Sequence, residues 1–165
     1  MKRTILSLVV LSLISVPAAF AGSATANLSV TASVAANCTI STAPVAFGPY
    51  DPVGANAAAD LLGTGTLTVA CTKGAAATID LGQGANYLAP TRRMTAGAGA
   101  FLNYALYKDA ARTNVWGSTM VGGSVYNYNS ASRNSVNITV YGTVPQAQDV
   151  TVGAYVDTVV ATINY

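Results

Sequence analysis

Apolar side chains return at every second position along stretch after stretch of this chain, a period that fits strands and not helices. The cleanest run is ATANLSVTASV, where Ala24, Ala26, Leu28, Val30, Ala32 and Val34 alternate with Thr, Asn and Ser. Successive side chains on a strand point to opposite faces, so this run would present one apolar face and one hydrated face. The same period sets Leu67, Val69 and Cys71 together in LTVACT, Ala77, Ile79 and Leu81 in ATIDL, and Leu102, Tyr104 and Leu106 in FLNYALY. Val136, Ile138, Val140 and Val144 share a face of SVNITVYGTV, as do Tyr155, Asp157, Val159, Ala161, Ile163 and Tyr165 near the C-terminus. Between these runs lie GPYDPVG, GQGANY, PTRRMTAGAGA and KDAARTN, whose Gly, Pro, Asn and Asp favour turns. Only NAAADLL, from Asn56 to Leu62, looks helical, and Gly54 and Gly63 bound it, so a single turn or a loop serves as well. Short alternating strands parted by turns predict an all-β, antiparallel β-sandwich.

The first residues predict the compartment. Lys2 and Arg3 precede an apolar run from Ile5 to Val16, then Pro17 and the small-residue ending Ala19-Phe20-Ala21. That order is the layout of a secretory signal peptide over residues 1–21, cleaved after Ala21, and the apolar run is too short for a stable membrane span. Lys2 and Arg3 also account for the whole formal surplus of +2, leaving six basic residues against six Asp in the exported part. A balanced, sparsely charged chain offers no basic patch for nucleic acid. An Ala/Thr/Ser/Asn/Gly-rich surface instead suits close, repeated protein contacts.

Chemistry at a catalytic centre has little material here. The chain has no His and no Glu, and its Asp residues are scattered; no Ser sits in a G-x-S-x-G elbow beside a base. The glycines of TAGAGA do not follow a strand into a helix at dinucleotide-binding spacing. The reading is therefore of a non-enzyme with no catalytic, cofactor-binding or metal-binding residues. Two cysteines, Cys38 and Cys71, remain. In an exported chain an even count means one disulfide, closing a loop of about 34 residues for roughly 3–4 kcal/mol.

The aromatics allow one binding reading. Trp116 with Tyr126 and Tyr128 of SVYNYNS could stack a sugar, making the chain a carbohydrate-binding β-sandwich module. The plainer reading places the tyrosines half-buried in a strand or hairpin, with their hydroxyls at the rim.

VAANCTIS around Cys38, LTVACTKG around Cys71 and the closing GAYVDTVVATINY together resemble the spore coat protein U domain family, over nearly the whole exported chain. Members of that family include pilin subunits of archaic, Csu-type chaperone–usher pili. The resemblance implies an incomplete immunoglobulin-like sandwich that lacks its last strand and leaves a hydrophobic groove. It divides the chain into the signal peptide, an N-terminal donor-strand arm at 22–36 and a pilin domain at 37–165. In such a subunit Ala24, Ala26, Leu28, Val30, Ala32 and Val34 would fill the groove of the next copy. A periplasmic chaperone and an outer-membrane usher would be partners, as would tip or adaptor pilins. Tyr165 would carry the carboxylate that the chaperone captures. The function implied is a fimbrial subunit for surface adhesion and biofilm formation; a secreted spore-coat or surface-coat protein of the same fold is the alternative.

Overall fold

The computed structural model describes residues 20–97 and 99–165; the signal-peptide reading lies almost wholly outside them. Residues Val34–Tyr165 form one compact unit, distinct from the chain before it. Within it the strands are β1 (Cys38–Ala46), β2 (Leu61–Cys71), β3 (Ala76–Leu81), β4 (Arg92–Gly97), β5 (Ala100–Tyr107), β6 (Tyr126–Asn129), β7 (Val136–Val144) and β8 (Ala161–Asn164). A short 3-10 turn spans Thr119–Val121. No helix among the described residues is long and apolar enough to cross a membrane.

Two sheets form, one in the order β1-β2-β7-β5-β4 and one in the order β6-β3-β8, and every strand pair is antiparallel. The period-two readings explain how they pack. Leu67, Val69 and Cys71 of β2, Leu102, Tyr104 and Leu106 of β5 and Ile138, Val140 and Val144 of β7 are buried on one face of the larger sheet. Ala77, Ile79 and Leu81 of β3 and Tyr128 of β6 face them from the smaller one, closing a single core. Val136, expected on the same face, is exposed at the first position of β7, although its partner Val69 is buried.

Three local readings need adjustment. PTRRMTAGAGA supplies the edge strand β4 as well as a turn, paired from Arg92↔Tyr104 to Thr95↔Phe101. NAAADLL is turn and bend up to Ala59, after which Leu61 and Leu62 open β2. The terminal alternation yields only a four-residue ladder strand, β8, although its inward positions stay partly buried from Tyr155 to Ile163.

Candidate functional site

Both sheets have a free edge beside the core. β1 ends the larger sheet and β8 ends the smaller one. Between β1 and the segment that leads into β8 lies a groove of about 470 Å³. Thr42 to Val45 make one wall, and Tyr155 to Val159 with Ala161 make the other. The floor is Leu67, Leu81, Met94, Tyr104, Leu106 and Val140, drawn from five strands of both sheets. The floor is therefore the interior of the sandwich. Val45, Tyr155, Val159, Ala161 and Ile163 pack on that core while staying only partly buried. Partly buried apolar side chains in a row, between two unpaired strand edges, describe a sandwich with one lane left out.

Local sequence shapes each wall. Pro44 has no N–H to give to a ladder, so it fits an edge strand, and β1 slips register between Ala43 and Ala46. Gly65 accommodates this bulge, since a Cβ there would come within 2.7 Å of Val45 Cγ2 and 2.9 Å of the Val45 nitrogen. Phe47 follows the bulge, lies over Gly63 and Gly142, and meets the Tyr104 ring edge-on at 6.3 Å. At the other end of β1, Cys38 and Cys71 sit opposite each other across β1 and β2 and are joined by a disulfide, as expected. Asn37 is held there too: Thr72 N donates to its carbonyl at 2.9 Å, and its own N–H donates to Thr72 Oγ1 at 3.1 Å.

The groove lining carries one charged side chain, Asp157. Tyr104 Oη donates to Asp157 Oδ2 at 2.6 Å, while Asn86 donates to Asp157 Oδ1 from its backbone N at 3.1 Å and from Nδ2 at 2.9 Å. Burial, reinforced by the hydrogen bond and charge of Asp157, pushes the Tyr104 phenol well above its ordinary pKa. Next to it Arg92 is only 2% exposed, and its guanidinium donates to the carbonyls of Leu81 at 2.6 Å and Gly82 at 2.7 Å. Burial lowers the Arg92 pKa against the opposing pull of Tyr104, Asp80 and Asp157.

The other residues singled out in the sequence fall in different places. From Ala24 to Val34 no residue joins a ladder, and Leu28 and Val30 are 87% and 85% exposed. Tyr165 is exposed, its hydroxyl donating to Asn37 Oδ1 at 3.3 Å. The sugar platform built on Trp116 is overturned. That indole is wholly buried, stacks on Tyr126 at 5.2 Å and donates from Nε1 to the Ile79 carbonyl at 3.0 Å. Tyr126 and Tyr128 lie on the strand β6 and pack on the core, Tyr126 half-buried as the plainer reading has it and Tyr128 buried. Sequence reasoning missed Pro44, Val45, Tyr104 and Asp157 as groove residues. For the last, the pointer is its place beside Tyr155 and Val159 on the alternating face of the closing GAYVDTVVATINY.

An antiparallel immunoglobulin-like sandwich, open along one lane between two free edges, defines the class: an incomplete β-sandwich. Within that class the chain belongs to the Spore Coat Protein U domain family, whose model matches residues 24–162. It is 42% identical over 167 residues to Protein U of Myxococcus xanthus, covering 93% of this chain and 92% of that protein. Its fold is similar to a chain in the crystal structure of the CsuC–CsuE chaperone–tip adhesion subunit pre-assembly complex from archaic chaperone–usher Csu pili of Acinetobacter baumannii. There the TM-score is 0.53 and the identity 24%, over 80% of this chain and 40% of that one. The chain thus spans two fifths of the length of that solved chain.

Proposed function

We propose that this protein is a structural fimbrial subunit that polymerises by donor-strand exchange. The arm at 22–36 of one copy adds a strand to the groove of the next, setting Ala24, Ala26, Leu28, Val30, Ala32 and Val34 on the floor. Main-chain bonds to the free edges of β1 and the 155–164 segment supply strength, and the alternating side chains supply register. A slip by one residue would turn Thr25, Asn27, Ser29, Thr31 and Ser33 into the core. Because the link is head to tail and leaves a free groove at one end, it extends into filaments. The single observation carrying this reading is the groove of about 470 Å³ whose floor is the core of the sandwich.

Before assembly such a groove needs cover, which a periplasmic chaperone supplies by lending a strand and holding the Tyr165 carboxylate. The exported chain then passes through an outer-membrane usher to a surface fimbrium serving adhesion and biofilm formation. Likeness of fold to a chain of a chaperone–tip adhesion subunit complex supports the chaperone step. The test is co-expression with the periplasmic chaperone encoded nearest the gene, followed by electrophoresis with and without boiling. A ladder of multimers that collapses on boiling is the expected result; folded monomer alone would refute strand exchange.

A second reading has its own support. Membership of the Spore Coat Protein U domain family, with 42% identity to Protein U along almost the full length, favours a coat protein of the same fold. That reading requires assembly on the cell or spore surface without an usher, so deleting the usher gene separates the two: fibres vanish under the first and coat deposition persists under the second.

A further inference from the structure

The groove is apolar along most of its length, yet a carboxylate stands in its wall. Asp157 marks the point where the C-terminal segment changes sheets. Just before it, Val156 exchanges both backbone bonds with Thr95 of β4, at 2.8 and 3.0 Å. Just after it, the carbonyls of Thr158 and Val160 accept from Ala85 N at 3.0 Å and Gly82 N at 2.8 Å, beyond the end of β3. Between these two attachments the Asp157 side chain binds the wall to the floor, through Tyr104 of β5, and to the 82–86 loop, through Asn86.

The loop is built around that carboxylate. Gly84 has φ +89°, and a Cβ there would collide with Asp157 Oδ2. Arg92 fixes the start of the same loop through the Leu81 and Gly82 carbonyls. Tyr104 remains a donor throughout the neutral range, because burial and the neighbouring charge both oppose loss of its proton. A wall that needed only to be apolar would be better served by an aliphatic residue, since removing a carboxylate from water is costly unless its bonds are well made. The three bonds here are well made, and all of them locate the wall.

We infer that Asp157, with Tyr104 and Asn86, is a latch that sets the spacing between the wall at 155–159 and β1, and so determines whether an incoming strand can pair with both edges. Asp157 is a positioning residue for strand acceptance. This inference rests on the strand-exchange reading above.

The test uses full-length chains that accept a strand but cannot donate one. Leu28→Asp, purified as its complex with the chaperone that covers the groove, provides such an acceptor, and a fluorescent synthetic peptide of residues 22–36 is the donor probe. Capture of the peptide is followed by anisotropy. Adding Asp157→Asn to the acceptor should slow capture by about tenfold or more, the scale of one lost charge-assisted bond. Tyr104→Phe should also slow it, and the two changes together should slow it no further than Asp157→Asn alone, because both act through one contact. General destabilisation is read from Val69→Ala, a core truncation away from the groove: if that acceptor loses as much urea stability as Asp157→Asn and captures peptide equally slowly, the latch is overturned. Asn86→Ala, which keeps the backbone donor, should produce a smaller slowing of the same kind and serves if Asp157→Asn fails to fold. An Asp157→Asn acceptor that captures peptide at the parent rate sinks the latch and leaves strand exchange standing. A Leu28→Asp chain that captures no peptide sinks strand exchange and the latch with it.

Discussion

The stretches Ala24–Val34 and Tyr155–Tyr165 carry the same alternating signal, and the fold treats them oppositely. In the second, the inward positions Tyr155, Asp157, Val159, Ala161 and Ile163 are partly buried, and backbone bonds reach β3, β4 and the loop after β3. In the first, no residue has a ladder partner and both faces are bare. Alternation fixes which side chains share a face; it does not supply the strand to pair with. The second stretch finds its edges within its own domain. For the first, leaving Leu28, Val30 and Val34 in water forgoes about 1.5–3 kcal/mol apiece, which a partner's groove would return.

The strongest way to break this comparison is to damage the arm alone. Leu28→Asp or Val30→Asp should abolish donation, because an unpaired carboxylate on an apolar floor costs several kcal/mol. Chaperone-bound monomers should still form, and their polymerisation should fall below detection in the boiling-sensitive ladder. Removing the disulfide with Cys38→Ser and Cys71→Ser should cost about 2–5 kcal/mol of domain stability, read from urea unfolding. That change frees β1, one wall of the groove, and so tests the domain and not the arm.

Paired truncations sharpen the contrast further. Val159→Ala should destabilise the monomer by about 1 kcal/mol, whereas Val30→Ala should leave it within about 0.5 kcal/mol and weaken only the multimer. The smallest effect concerns Tyr104. Its raised pKa means the folded chain keeps a proton that the unfolded chain releases above the ordinary phenol value near 10. Its contribution is therefore complete below that pH and is lost as pH rises beyond it. Tyr104→Phe should flatten the fall in urea midpoint between about pH 9 and about pH 11 relative to the parent chain.

Much of the core was legible because β2, β3, β5 and β7 obey a period of two with Val, Ile and Leu on one side. The edge strand β4 was not, since Arg92 reads as a solvated charge. In the fold it is a buried guanidinium that satisfies the Leu81 and Gly82 carbonyls. Trp116 misled for the converse reason: an indole beside tyrosines suggests a platform, but nothing in the local sequence reveals the Ile79 carbonyl waiting for its N–H. The groove itself is a gap between β1 and the 155–164 segment. Residue patterns report strands that are present, whereas an omitted one leaves no letters behind. Asp157 was legible as part of a pattern and not as a wall contact, because Asn86 and Tyr104 lie far from it in sequence.

Amide hydrogen exchange of residues 24–34, compared between chaperone-bound monomer and assembled multimer, reads the central claim directly. Strand exchange requires these amides to exchange freely in the monomer and to become protected in the multimer as strongly as those of β2 and β7. Multimers in which the same amides exchange as fast as in the monomer would contradict it.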